Sequence, residues 1–166
     1  KHAKQLIESS WKNEGYWLQP CLDKLQTELL DNAPDLPRTV IHGDLFRDNA
    51  MFEGDRVSGV IDFYNAATGW RIFELAICVN DWCVDSTESG LQLNQQRISA
   101  LLSAYQQQQP LNAQELSLWP LMLQLAARRF WVSRQQYAEQ HQGQPGVLVK
   151  DPLYFRELFR LHCEVV

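Results

Sequence analysis

Asp44, Asn49 and Asp62 carry the densest chemical signal in the sequence. The first two sit in Val40-Ile41-His42-Gly43-Asp44-Leu45-Phe46-Arg47-Asp48-Asn49, and the third follows in Ile61-Asp62-Phe63. Asp44 comes just after a β-branched run, on a tight His-Gly turn that can aim its carboxylate into a cleft. Asn49 and Asp62 offer oxygen ligands, the type that hard Mg2+ prefers, and one or two such groups plus phosphates suffice for that ion. One carboxylate to orient a hydroxyl, with two oxygen ligands to hold Mg·ATP, make a phosphoryl-transfer site.

These side chains need elements to position them. Thr39 to His42 reads as a strand running into a turn. Ala50-Met51-Phe52 and Val57 to Ile61, joined by Glu53-Gly54-Asp55-Arg56, read as a β-hairpin whose antiparallel strands set Asn49 beside Asp62. Upstream, residues 1–12 and 16–31 are expected to be helical, with Leu18, Cys21, Leu22, Leu25 and Leu29 recurring at three- and four-residue steps. Pro34 and Pro37 end that region. Downstream, helices are expected over about 71–84, 90–108 and 113–140, the last opened by Asn112 with Glu115 as in a capping box. A loop follows over 141–150, and Pro152 opens a last helix to about 163. Helices around a small β insert give an α+β, mainly α architecture.

The pattern His42-x-Asp44-x4-Asn49 with a downstream Ile-Asp-Phe resembles the catalytic and metal-binding loops of the protein-kinase-like superfamily. The His-Gly-Asp form, with Tyr64 rather than Gly after Asp62-Phe63, resembles its aminoglycoside-phosphotransferase branch. The resemblance implies the C-terminal, substrate-side lobe of a kinase-like fold, in which the β-hairpin insert carries the catalytic and metal loops. It implies ATP and Mg2+ as cofactors, with Asp44 as catalytic base and Asn49 and Asp62 as Mg2+ ligands. Met51 would floor the adenine pocket, with Ile61 beside it. His42 is expected to shape the loop by hydrogen bonding rather than to carry a proton. Phe46 stands where protein kinases keep a phosphate-contacting Lys, which argues against a protein kinase. Arg47 either supplies the missing charge or is a solvated loop residue. Glu74 stands where the superfamily more often has Asp supporting the catalytic loop, and the longer side chain can still accept backbone N–H bonds.

The continuation from Gly59 to Ala66, then Phe73 to Cys83 and Arg129 to Arg134, resembles bacterial homoserine kinases of this superfamily more than its choline, aminoglycoside or fructosamine kinases. The likeness covers roughly 36–138. It implies transfer of the γ-phosphoryl of ATP to the side-chain hydroxyl of L-homoserine, a step of threonine biosynthesis. Independently, the stripe Leu118, Met122, Leu125, Arg129, Val132 is apolar except for Arg129. A charge on a core-facing stripe needs a partner. Arg129 either pairs with Glu74 or Asp81, or clamps the carboxylate of an amino-acid substrate. Asp81 either binds a substrate ammonium or faces water.

The 166 residues, 45% hydrophobic, suffice for one domain spanning 1–166 with a real core. A net charge of −5 without any Lys/Arg-rich block argues against nucleic acid or an anionic membrane as partner. No apolar run approaches the ~18 residues of a membrane span, and no signal-peptide pattern opens the chain. Cys21, Cys78, Cys83 and Cys163 show no zinc-site spacing and are expected to be reduced packing residues, as in a cytoplasmic protein. The chain opens at Lys1 inside a helical pattern and reads as a piece of a longer protein. An N-terminal β-lobe with a phosphate-covering loop and its Lys is missing from this sequence, so the isolated chain is expected to be nearly inert. The competing readings are another small-alcohol or aminoglycoside kinase and, from a different class, a non-catalytic pseudokinase module.

Overall fold

The structure, a computed structural model, describes residues 15–30, 35–142, 144 and 146–164. The helix expected over 1–12 lies outside them. Helix α1 (Gly15–Lys24) runs on into a π-helical turn over Leu25–Leu30. Strand β1 (Arg38–Ile41) leads into the loop over 42–49, which closes in a 3-10 turn over Arg47–Asn49. The expected hairpin is present as β2 (Ala50–Glu53) and β3 (Arg56–Val60), paired antiparallel with Ala50 opposite Val60 and a bulge at Met51/Phe52. A second 3-10 turn, Phe63–Asn65, precedes β4 (Ala67–Trp70), which pairs antiparallel with β1.

Helix α2 (Arg71–Trp82) follows, then a further hairpin of β5 (Val84–Thr87) and β6 (Gly90–Leu93). The remaining helices are α3 (Gln95–Gln108), α4 (Ala113–Gln140) and α5 (Leu153–Glu164). The architecture is therefore mainly helical with three small antiparallel sheets among the described residues. One sequence expectation is corrected and one element is added. The helix expected from 90 begins at 95, because Asn94 caps it by accepting the Arg97 N–H, and residues 84–93 pair as a hairpin instead. Strand β4 was also unforeseen, since Ala67-Thr68-Gly69-Trp70 extends only by pairing with β1.

The core gathers where α2, α4 and α5 meet. Ile72, Leu75, Ala76, Ile77 and Val79 of α2 turn inward against Met122, Ala126, Phe130 and Trp131 of α4. Phe155, Leu158 and Phe159 of α5 close the other side at helical spacing. Helix α4 opens with the expected capping box: Asn112 Oδ1 accepts the Glu115 N–H and Glu115 Oε2 accepts the Asn112 N–H, both at 2.8 Å. All four cysteines are free, with Cys78 and Cys83 buried. No helix among the described residues is long and apolar enough to cross a membrane.

Candidate active site

The loop after β1 is fixed from several sides. Phe46 is buried against Phe130 and Phe155, with ring centroids 4.6 and 5.8 Å away, so the back of the loop is anchored in the core. Gly43 adopts φ +76°, and a Cβ there would meet the Asn65 carbonyl oxygen at 2.6 Å, so both conformation and space demand glycine. Its N–H donates to Glu74 Oε2 at 2.8 Å, a bond from α2 to the loop. His42 Nε2 lies 2.9 Å from the Ile61 carbonyl, which can only accept, so that nitrogen carries the hydrogen. The bare Nδ1 then accepts the Asp44 N–H at 3.3 Å. His42 thereby ties the loop to the segment entering Asp62, and its ring packs tilted against Phe63 with centroids 4.7 Å apart.

Asp44, Asn49 and Asp62 all line one open cleft of about 350 Å3, together with Asn65, Arg129 and Arg134. Asn49 donates its Nδ2 to the Asp44 carbonyl at 2.8 Å, which leaves its amide oxygen for the cleft. Asp62 is held at φ 64°, ψ 63°, a left-handed conformation uncommon for a non-glycine residue and often found at functional sites. No hydrogen bond engages its carboxylate among the described residues. Burial pushes the Asp44 carboxyl above the usual carboxylate range; Arg129 and Lys150 oppose that rise, while Asp62 and Asp48 add to it.

Three cations face this cleft. Arg129 donates through Nη1 to the Gly43 carbonyl at 2.8 Å and through Nη2 to Asn65 Oδ1 at 3.3 Å. It makes no ion pair with Glu74 or Asp81 among the described residues; Asp44 and Glu74 act on it through space. Lys150 pairs with Asp48 at 2.7 Å, and this bond holds the Asp48 carboxyl below its usual range. Arg134 lies over the Phe155 ring at 4.4 Å and near Phe46 at 5.8 Å.

The structure does not bring every expected residue to the cleft. Asp81 is absent from its lining and accepts the Arg47 N–H at 2.7 Å and Arg47 Nε at 3.2 Å, clasping the loop from α2. Trp82 adds a 3.0 Å bond from Nε1 to the Leu45 carbonyl. Met51 and Ile61 also lie outside the cleft lining, half-exposed along the hairpin and the segment that leaves it. Sequence reasoning missed Arg134, Lys150 and Asn65. Arg134 stands four residues after Phe130 on α4, a spacing that marks the same helix face, whereas Lys150 reaches the cleft from a loop with no periodicity to read.

The cleft thus gathers a half-buried carboxylate (Asp44), a half-buried amide (Asn49), an exposed carboxylate (Asp62) and three cationic side chains. A homoserine kinase of Pseudomonas aeruginosa is 48% identical over 122 residues, covering 74% of this chain and 37% of the relative. Homoserine kinases of Methylobacillus flagellatus and a Janthinobacterium species are 42% and 40% identical over 137 and 134 residues, covering 42% and 41% of those proteins. The chain therefore spans about two fifths of the length of the curated relatives it matches. A family model described as "Phosphotransferase enzyme family" matches residues 1–111, well over half of the chain. The chain belongs to that phosphotransferase family.

Proposed function

We propose that this chain is the substrate-side part of an ATP-dependent homoserine kinase, and that the cleft of Asp44, Asn49 and Asp62 is where phosphoryl transfer takes place. The observation that carries the reading is the convergence of those three side chains on one open cleft, on a loop held by His42, Glu74 and Arg129. The relatives named homoserine kinases supply the acceptor.

The donor set fits Mg2+. Asn49 keeps an amide oxygen and Asp62 a carboxylate towards the cleft, both hard oxygen ligands, and Mg2+ needs few protein ligands when phosphates complete its shell. Bound there, the ion would neutralise charge on the β- and γ-phosphates. Asp44 accepts the proton of the acceptor hydroxyl as its oxygen bonds to the γ-phosphorus and the bond to the β-phosphate oxygen breaks, leaving ADP. A carboxylate raised by burial is a better proton acceptor than a solvated one. Glu74 and His42 keep the loop rigid beneath Asp44, and Arg129 fixes the Gly43 carbonyl on the facing side. Asp81 positions the loop through Arg47 rather than meeting the substrate.

Val40, Met51, Ile61, Phe63 and Tyr64 are exposed apolar side chains on the strands and segments around the loop, with Tyr64 98% accessible. In this reading Met51 and Ile61 floor the adenine, and the rest of the kinase covers the remainder, so the isolated chain turns over little or no ATP. A pseudokinase is disfavoured because Asp44, Asn49 and Asp62 are all present and assembled. The test is an acceptor panel offered with Mg·ATP to the full-length protein. Homoserine is expected to be phosphorylated with the highest kcat/KM, ahead of serine, choline and an aminoglycoside. Preference for an aminoglycoside or choline would replace the acceptor, and no transfer to any of them would favour the binding module.

A further inference from the structure

Three cations line the catalytic cleft, and their hydrogen bonding sets one apart. Arg129 has both terminal nitrogens on chain acceptors, and Lys150 is paired with Asp48. Arg134 has no hydrogen-bonded acceptor among the described residues. It is nevertheless half-buried and held: its guanidinium carbon sits over the Phe155 ring, 4.4 Å from the centroid, and over that of Phe46 at 5.8 Å. Stacking on two aromatic faces fixes the plane of a guanidinium while leaving its edge, with up to five N–H donors, open. Asp44, Asp48 and Asp81 act on it only through space. A partly desolvated cation, preorganised in a cleft and lacking an acceptor, is arranged for an anionic ligand.

We propose that Arg134 binds the carboxylate of the acceptor, forming with its edge the subsite that makes the enzyme select a hydroxy-amino acid over the corresponding amino alcohol. This deepens the homoserine-kinase reading and rests on it. Arg134 and Asp44 share one cleft, so an acceptor anchored by its carboxylate at Arg134 presents its other end towards Asp44. The cleft adjoins a mostly apolar hollow lined by Tyr137 and Leu148, with Ser133, Arg134 and Lys150 common to both. Arg134 thus stands at the boundary between polar and apolar walls. The anion could also come from a phosphate of ATP, so the test must separate the two sources.

The full-length kinase, wild type and Arg134→Met, is assayed with L-homoserine and with 3-aminopropan-1-ol, which keeps the hydroxyl and the ammonium and lacks the carboxylate. Loss of a charge-assisted bidentate contact should raise KM for homoserine roughly ten- to a hundredfold. The kcat/KM for 3-aminopropan-1-ol and the KM for ATP should stay within about twofold, so the preference for homoserine collapses by the same factor as binding. Arg134→Lys should recover only part of the loss, because an ammonium lacks the planar fork. That variant also carries the test if Arg134→Met fails to fold. An unchanged KM for homoserine overturns the subsite. A rise confined to the KM for ATP assigns the anion to phosphate instead, and parallel drift of all values with a lower melting temperature makes Arg134 structural. Failure of the wild type to phosphorylate homoserine at all is a different result, sinking the function and the subsite together.

Discussion

Asn49 and Asp62 differ in how the protein holds them, and that difference predicts how each variant behaves. Asn49 is tied by its amide N–H to the Asp44 carbonyl, so it both offers an oxygen and steadies the loop that carries Asp44. Asp62 has no such tether and is aimed by backbone conformation alone. Asp62→Ala in the full-length kinase should therefore abolish Mg2+-dependent turnover. Asn49→Ala should leave measurable activity, with a raised Mg2+ requirement as read from kcat against Mg2+ concentration. Normal activity of Asp62→Ala at low Mg2+ would remove it from the metal site. These residues were legible because motif and site coincide in one short stretch of chain. Arg134 was not, since its meaning depends on Phe46 and Phe155 arriving from distant elements. Asp81 was legible as a charge near the loop, but its bond to Arg47 spans 34 positions of sequence and leaves no local trace.

Among the elements, the junction of α2 and α4 rests on a buried ion pair. Arg71, at the first turn of α2, donates from Nε at 2.6 Å and from Nη2 at 2.5 Å to the two oxygens of Glu115, and Nη2 also reaches the Pro110 carbonyl. The Glu115 side chain is 0% exposed and that of Arg71 15%, so little water screens the pair. Burial alone would raise the Glu115 carboxyl, but the Arg71 bonds and the Asn112 N–H outweigh it and hold the group below its ordinary 4.5. A depressed carboxylate contributes stability above that ordinary value and loses it as pH falls through the folded one. Arg71→Met leaves Glu115 buried and unpaired, which costs about 3–5 kcal/mol. Urea unfolding at pH 7 should show that loss, and the gap to wild type should narrow in acid as Glu115 protonates. A loss under ~1 kcal/mol at pH 7 would mean that water reaches the pair. The capping box behind this junction was readable from Asn112 and Glu115, three residues apart, whereas their link to Arg71 was not. The β5–β6 hairpin escaped for a related reason: Leu91 and Leu93 suit a helix as well as a strand, and only pairing with Val84 and Ser86 decides between them.

At the scale of the whole molecule, the helical bundle of α2, α4 and α5 serves as the wall against which one loop is pinned. Phe46 inserts into it, Glu74 and Asp81 reach up from α2, and Arg129 reaches across from α4. Large apolar side chains left exposed include Val40 on β1, at 78%, and Met51 on the β2–β3 hairpin, at 48%. Matched relatives are more than twice as long as the stretch they share with this chain. On the proposed reading, with acceptor contacts here and nucleotide contacts from the rest of the protein, Asp44 is the central residue. The direct test is the kcat of the full-length protein for ATP-dependent phosphorylation of homoserine, measured for wild type beside Asp44→Asn. A fall of at least ~10²-fold with an unchanged fold is expected, since the substitution is nearly isosteric and removes a positioned general base. An Asp44→Asn enzyme that turns over at the wild-type rate would contradict it.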